Sequence, residues 1–164
     1  MTSTIAAPER WFVADTLSLI ARLLLGAVFI YMGLNKALHP VDFLKLVHQY
    51  DVLSHPLALN LVAAALPWFE VFCGLLLFLG IAVRGTSVML VAMLVPFTLL
   101  VFLRALALQK SGGLPFCAIQ FDCGCGSGEV LICRKLAENS LLLALSVVLI
   151  VRRESRLGLR SNLH

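Results

Sequence analysis

The chain has 164 residues, of which 60% are hydrophobic and 13% are charged. Its mean hydropathy of +0.97 lies far above the range of water-soluble domains. The composition therefore excludes an ordinary soluble enzyme and predicts an integral membrane protein. The formal net charge is +4, but most of the basic residues flank apolar runs. Membrane topology accounts for them better than nucleic-acid binding does, so we expect no nucleic-acid partner.

The amino-terminal apolar run differs from a cleaved secretory signal. Glu9 and Asp15 dilute the positive charge of Arg10, and the run continues well past signal length. No Ala-x-Ala-like cleavage site follows it. We therefore expect this run to remain in the protein as its first membrane anchor.

Four apolar runs have roughly the length needed to cross about 30 Å of hydrocarbon, which takes about 20 helical residues. Because the runs lack strict alternation, they favour helices over barrel strands. The sequence predicts an all-α, integral membrane bundle of four transmembrane helices, with a cysteine-rich loop between helices 3 and 4. No polar linker or repeat divides the chain, so residues 1–164 read as a single domain. The predicted spans cover residues 16–38, 57–83, 86–108 and 136–151.

The connection between the first two predicted spans has its own helical pattern. After Pro40, the apolar residues Phe43, Leu44, Val47 and Tyr50 fall at helical spacing. This pattern predicts a short amphipathic helix that lies flat at the membrane interface and caps the bundle.

The basic residues indicate the orientation of the chain in the membrane. One side would carry Arg10, Arg84, Arg152, Arg153, Arg156 and Arg160, and the other Lys36, Lys45, Lys110, Arg134 and Lys135. The dense cluster after the fourth predicted span favours a multi-pass protein of the bacterial inner (cytoplasmic) membrane with both termini in the cytoplasm. The cysteine loop would then face the oxidising periplasm, where disulfides persist.

Two ionisable residues lie inside predicted spans, where a charge is costly unless it is paired. Arg22 should lie about 9 Å from the cytoplasmic end of the first span, and Glu70 about 20 Å from the opposite end of the second. These depths coincide in antiparallel neighbours, so the sequence predicts an Arg22–Glu70 ion pair. Such a pair fixes helix register, and its functional alternative is a contact with a proton or a quinone ring.

A second polar group lies near the outer helix ends, below the cysteine loop. Its members are Asn35, Lys36, Arg104, Glu138 and Asn139. Taken singly, the cations are explained by snorkelling towards the interface. Five polar residues at one level predict a lined cavity, and we treat them as candidate residues for binding a quinone cofactor.

Four of the five cysteines lie in the loop, as Cys117, Cys123, Cys125 and Cys133. They are the candidate catalytic residues, and they allow three disulfide connectivities. Cys123 and Cys125 are too close for an unstrained bridge, although strained bridges are the reactive kind. The alternatives join Cys117 to Cys123 and Cys125 to Cys133, or cross these pairs. No metal is expected; a four-thiolate zinc site ranks second because the paired Cys-x2-Cys spacing is missing, and two inert disulfides rank third.

Several motifs together resemble a known family. They are Arg22-Leu23-Leu24-Leu25-Gly26, Gly33-Leu34-Asn35-Lys36, Leu66-Pro67-Trp68-Phe69-Glu70 with Gly74, Asp122-Cys123-Gly124-Cys125 and Glu138-Asn139. In this order they resemble the DoxX-like superfamily, nearest its MauE-type, redox-associated branch. The resemblance implies a four-helix membrane protein linked to thiol oxidation or disulfide formation in exported proteins, often beside thioredoxin-like partners. Other relatives are associated with electron transfer from thiosulfate to quinone.

Carried over by position, the resemblance makes Cys123 and Cys125 the redox pair, and it assigns Arg22, Lys36 and Glu70 to the shared helical framework. The chain departs from the pattern in two places. Many MauE-type members continue Cys-Gly-Cys with Phe-Gly, where this chain has 126–128 as Gly-Ser-Gly, and Cys133 adds a thiol.

Two functional hypotheses follow. The first is a membrane thiol-disulfide oxidoreductase that passes electrons from periplasmic thiols, such as those of a thioredoxin-like protein, towards the quinone pool. The alternative is a non-catalytic subunit that anchors or assembles a larger respiratory or electron-transfer complex, with membrane lipid or other subunits covering its apolar faces. A transporter ranks third because the chain shows no matching repeat halves.

Overall fold

The structure, a computed structural model, describes residues 7–49, 55–112, 115–122 and 129–151. Helices dominate these residues. In chain order the elements are α1 (Ala7–Leu38), α2 (Pro40–Gln49), α3 (Pro56–Leu79), α4 (Val83–Gly112), a short 3-10 helix (Phe116–Ala118), β1 (Gln120–Asp122), β2 (Glu129–Leu131) and α5 (Ile132–Val151). The amphipathic helix expected between the first two spans is confirmed as α2.

Among the described residues, three helices are long and apolar enough to cross a membrane. The stretches concerned are Thr16–Leu38, Leu59–Leu79 and Val83–Lys110. Most of each stretch is exposed rather than buried in the protein, so large apolar faces look outward. Apolar side chains at this density are stable only against lipid, and the chain is therefore a multi-pass, mostly helical membrane protein.

The predicted fourth span lies within α5, which has 20 residues. The first two turns of α5 carry Arg134, Lys135 and Glu138. Because of these charges, α5 is not one of the three helices that are apolar enough to count as a membrane span by composition. Helix α5 packs chiefly along α4, and α1 packs chiefly along α3.

The boundary between the second and third predicted spans is wrong in the sequence prediction. Helix α3 ends at Leu79, and Gly80 follows in the left-handed conformation with φ 77°. The Gly80 and Ile81 amides donate to the carbonyls of Leu77 and Leu76, which closes the helix as a Schellman motif. Helix α4 then begins at Val83. A hydropathy profile does not show this turn, because the residues that form it are themselves apolar or small.

Glycines set the contact between α1 and α3. A β-carbon on Gly26 would lie 2.8 Å from the Gly74 carbonyl oxygen, and one on Gly33 would lie 2.6 Å from the Pro67 carbonyl oxygen. The backbones therefore approach more closely than any larger residue permits, as small residues allow in membrane helix pairs. These two contacts fix the antiparallel register of the helices.

The interior contains two apolar clusters. The first centres on Leu25, Leu77, Leu90 and Leu149, near the turn between α3 and α4. The second lies towards the cysteine loop and contains Met32, Val101, Ala105, Ile119 and Ile132. Because the second cluster includes residues on both sides of the loop, it anchors that loop to the helices.

The loop contains a small antiparallel sheet, which the all-α prediction lacks. Strand β1 pairs with β2, and the register matches Gln120 with Leu131 and Asp122 with Glu129. The Ile132 amide also donates to the Ile119 carbonyl. The chain thus folds back on itself between the end of α4 and the start of α5.

Candidate functional site

A disulfide joins Cys117 to Cys133, with 5.1 Å between their α-carbons. Cys117 belongs to the 3-10 helix and is exposed, whereas Cys133 lies in the first turn of α5 and is half-buried. Both pairings given as alternatives from the sequence, which joined Cys117 to Cys123 or to Cys125, are wrong. The β1–β2 pairing explains the result, because it brings the residues flanking the hairpin together.

Cys123 and Cys125 lie outside the described residues. Cys123 follows the last residue of β1, and Asp122 at that end pairs with Glu129, the first residue of β2. Both cysteines therefore belong to the connection between these paired strand ends. Their assignment as the redox pair stays a prediction.

A buried ion pair lies below the hairpin. The Lys36 Nζ atom donates to both carboxylate oxygens of Glu70, at 2.6 and 2.8 Å. Lys36 is 5% exposed and Glu70 6%. The ammonium group also lies 5.4 Å from the ring centroid of Phe43 and 5.8 Å from that of Phe97. Two aromatic faces and a bidentate carboxylate thus compensate this cation for its lost hydration.

The predicted Arg22–Glu70 ion pair is wrong, because Glu70 pairs with Lys36. The contact between Gly26 and Gly74 places Arg22 about eight residues, or about 12 Å, from the level of Glu70. Helical side chains also lean towards the amino terminus of their own helix. In antiparallel α1 and α3 this separates Arg22 from Glu70, whereas it makes the side chains of Lys36 and Glu70 converge.

Helix α5 contributes a second set of charges beside this pair. Lys135 is 4% exposed, and its Nζ lies 3.7 Å from the Glu138 carboxylate. It also interacts electrostatically with Lys36 and Glu70. The exposed Arg134 donates from Nε to Glu138 at 2.9 Å. The buried lysines Lys36 and Lys135 thus both interact with the buried carboxylate of Glu70. Lys135 lies two residues along the chain from Cys133.

Asn139, one turn further along α5, is fully buried. Its Nδ2 donates to the Thr98 hydroxyl of α4 at 3.2 Å, while its Oδ1 has no hydrogen-bond partner. A buried amide oxygen without a partner is uncommon, since such groups are normally satisfied. This oxygen is available to a donor from a bound molecule.

The other candidate cofactor residues are more dispersed than predicted. Asn35 is half-buried and adjacent to Lys36 in the sequence, and its backbone carbonyl accepts a hydrogen bond from the His39 ring at 3.1 Å. Arg104 is exposed on α4. The structure therefore joins Lys36 directly to Glu70 and connects Glu138 to this pair through Lys135, while Asn139 contacts Thr98 and Arg104 stays exposed.

Sequence reasoning missed Lys135 as a site residue. From the sequence, Lys135 reads as one of the charges that set membrane topology, yet it is as buried as Lys36, with 4% and 5% of the residues exposed. The available signal was its i,i+3 spacing to Glu138 at the start of an apolar helix, where a cation facing the bundle needs an acid nearby.

The described residues contain no group of three or more His, Cys, Asp or Glu that would hold a metal ion. Cys117 and Cys133 are bonded to each other and so do not offer the thiolates that a zinc site requires. The arrangement instead combines a disulfide in which the residue Cys117 is exposed with buried charges of both signs.

Comparison with protein families identifies the chain. The model of the family described as methylamine utilisation protein MauE matches residues 14–152. The chain belongs to the MauE family. The match runs from α1 through the end of α5 and includes the disulfide and the buried ion pair.

Membership in the MauE family confirms the branch named from the motifs, while the wider DoxX-like superfamily stays a prediction. No curated protein and no solved structure matches the chain. The roles of the residues described above are therefore argued from their geometry in this MauE-family chain.

Proposed function

We propose that this protein is a membrane thiol-disulfide oxidoreductase that passes electrons from exported thiol proteins towards the quinone pool. The observation that supports this most directly is the Cys117–Cys133 disulfide, in which Cys117 is exposed. Two further cysteines, Cys123 and Cys125, occur between these residues in the sequence. Four cysteines close in sequence supply two dithiol pairs, as a relay requires.

The proposed reaction begins at Cys123 and Cys125, joined as a disulfide. A thiolate of a reduced thioredoxin-like partner attacks one of these sulfurs and forms a mixed disulfide. The partner's second thiol resolves it, so the partner leaves oxidised and Cys123 and Cys125 become thiols. These thiols then reduce the Cys117–Cys133 disulfide by the same exchange. Each exchange moves two electrons and two protons, and the number of disulfides is unchanged.

A membrane quinone is the proposed acceptor. Its conversion to the quinol takes up the two electrons and two protons that are released when the thiols of Cys117 and Cys133 are reoxidised to the disulfide. The residues proposed to hold the quinone are Asn35, Lys36, Glu138 and Asn139, and the exposed Arg104 is no longer included. The buried Oδ1 of Asn139, which lacks a partner, suits a hydroxyl donor of the quinol form. Lys36 and Glu70 are suited to retain or pass a proton beside that place.

The proposed setting follows from the same arrangement. We propose that α5 is the fourth span, that both termini are cytoplasmic, and that the disulfide faces the periplasm of a bacterial inner membrane. The family description names methylamine utilisation, and disulfide formation in an exported protein of that process is the accessory role that fits the proposal.

The first test maps the disulfides of the purified protein by proteolysis and mass spectrometry, with thiols blocked before digestion. We expect a peptide linking Cys117 to Cys133, and Cys123 and Cys125 either joined or both alkylated according to the redox state. In the relay, a link from Cys117 to Cys123 or to Cys125 forms only as a transient exchange intermediate. Such a link as the main form of the fully oxidised protein would contradict the relay.

The second test measures turnover in proteoliposomes with reduced thioredoxin as the model dithiol and a short-chain quinone as acceptor. We expect Cys125→Ser to lower quinone reduction by about 100-fold or more, because Cys123 alone cannot form the disulfide that the thiolate of the reduced partner attacks. The matched control is Cys73→Ala, which removes a free, buried cysteine apart from the loop and should stay within about twofold of wild type. Normal turnover by Cys125→Ser would leave the anchoring role as the better account.

A further inference from the structure

Arg22 is a buried cation without an observed partner. It is 6% exposed, and its Nε has no hydrogen-bond partner. Among the ion pairs of the described residues, none involves Arg22. An uncompensated guanidinium in a low-dielectric environment is strongly unfavourable, and arginine does not escape the cost by losing its proton. Within the part of the chain that the structure describes, no carboxylate forms an ion pair with this guanidinium.

The guanidinium lies against the turn between α3 and α4. A β-carbon on Gly80 would lie 2.6 Å from Nη1 and 2.8 Å from Cζ of Arg22. Because two apolar helices reverse direction within Gly80, Ile81 and Ala82, this turn lies at a membrane face. Arg22 thus lies beside this turn, within the first apolar stretch and at the end of the bundle opposite the disulfide.

Further hydrogen-bond donors stand at the same end. Helix α4 begins at Val83, and the first amides of a helix have no carbonyl partner within it. The helix macrodipole adds partial positive charge there. Ser87, one turn into α4, is fully buried, and its hydroxyl also lacks a hydrogen-bond partner. A buried cation, the amino terminus of α4 and an unpaired hydroxyl one turn into that helix thus lie at the same end of the bundle.

The turn beside Arg22 is closed by its own backbone hydrogen bonds. The carbonyls of Leu76 and Leu77 already accept from the turn amides at 2.9 and 3.1 Å. Arg84 donates from Nε to the Ile150 carbonyl at 3.1 Å, so its side chain braces α4 against α5. Gly85, next along, has open space where a side chain would stand. The turn is thus accessible from outside the bundle.

We propose that this end of the bundle is a binding site for a phosphate oxyanion, held by Arg22 and the amino terminus of α4. Phosphate suits the site because its oxygens accept from the planar guanidinium fork and from helix amides together. In a membrane the available sources are the headgroup of an anionic phospholipid and free inorganic phosphate. The site is independent of the thiol chemistry proposed above.

The experiment compares thermal unfolding of the full chain in nanodiscs of phosphatidylglycerol and of a phosphate-free galactolipid, and in detergent with inorganic phosphate or with chloride at equal ionic strength. We expect wild type to unfold about 3–6 °C higher with the phosphate source that binds than with its matched reference. Arg22→Gln should abolish this difference. The control Lys110→Gln removes an exposed charge at the other end of α4 and should keep it.

The outcomes separate the two sources. A difference in the nanodiscs alone assigns the site to lipid, and a difference with inorganic phosphate in detergent assigns it to the free ion. The same difference in wild type and Arg22→Gln would overturn the proposal, as would no difference in either pair of conditions. If Arg22→Gln does not fold, Arg22→Lys is the second variant, because it keeps the charge but loses the planar guanidinium fork. We expect it to at least halve the difference in unfolding temperature. An undiminished difference in Arg22→Lys would overturn the proposal.

Discussion

Replacing Glu70 by Gln tests the physical account of the buried charges. The change leaves the Lys36 ammonium without its bidentate acceptor, and it leaves the buried Lys135 beside another buried cation. Removing one partner of a buried pair costs about 3–5 kcal/mol of unfolding free energy, and we expect Glu70→Gln to lie in this range. Lys36→Met should cost less, about 1–3 kcal/mol, because Lys135 remains as a counter-charge for Glu70.

The double variant separates charge pairing from packing. With both groups neutral, no unpaired charge remains at this position, and the unfolding free energy should return to within about 1 kcal/mol of wild type. The assay is reversible unfolding in mixed detergent micelles, followed by circular dichroism. The control is Asp42→Asn, which breaks an ion pair whose side chains are 69% and 68% exposed, and which should change the unfolding free energy by less than about 0.5 kcal/mol.

Two results would refute this reasoning. One is a loss below about 1 kcal/mol in Glu70→Gln, which would mean that water or lipid headgroups reach Lys36. The other is a double variant whose loss equals the sum of the two single losses, since additive effects indicate that the groups do not interact.

Two further predictions concern packing and surface charge. Gly33→Ala should destabilise the protein by about 1–3 kcal/mol in the same unfolding assay, because its β-carbon would lie 2.6 Å from the Pro67 carbonyl oxygen. Gly85→Ala, where the new methyl group meets nothing within 4 Å, is the matched control and should be neutral or slightly stabilising; equal losses in both would exclude close helix contact as the cause. Arg134→Gln breaks an exposed i,i+4 pair with Glu138 and should change stability by less than about 0.5 kcal/mol, so a larger loss would mean that the pair is shielded from water.

The sequence by itself determined the class of protein and the approximate places of its long helices. Apolar length is a one-dimensional property, so the stretches 16–38 and 86–108 could be predicted from hydropathy. The spacing of apolar residues after Pro40 likewise predicted α2. The order of short motifs pointed to the MauE branch, because such motifs occupy fixed places along a chain.

Only the tertiary structure decided which side chains meet. Glu70 pairs with Lys36 rather than Arg22 because glycine contacts set the register of α1 and α3, and because side chains lean along their helices. Cys117 pairs with Cys133 because a three-residue strand pairing folds the loop back on itself. Counting residues from the end of a span gives the depth of a side chain along its own helix. It does not give how far one helix is shifted along its axis relative to the neighbouring helix. That offset comes from packing of close backbones, and the ion pair and the neighbours of Arg22 both follow from it.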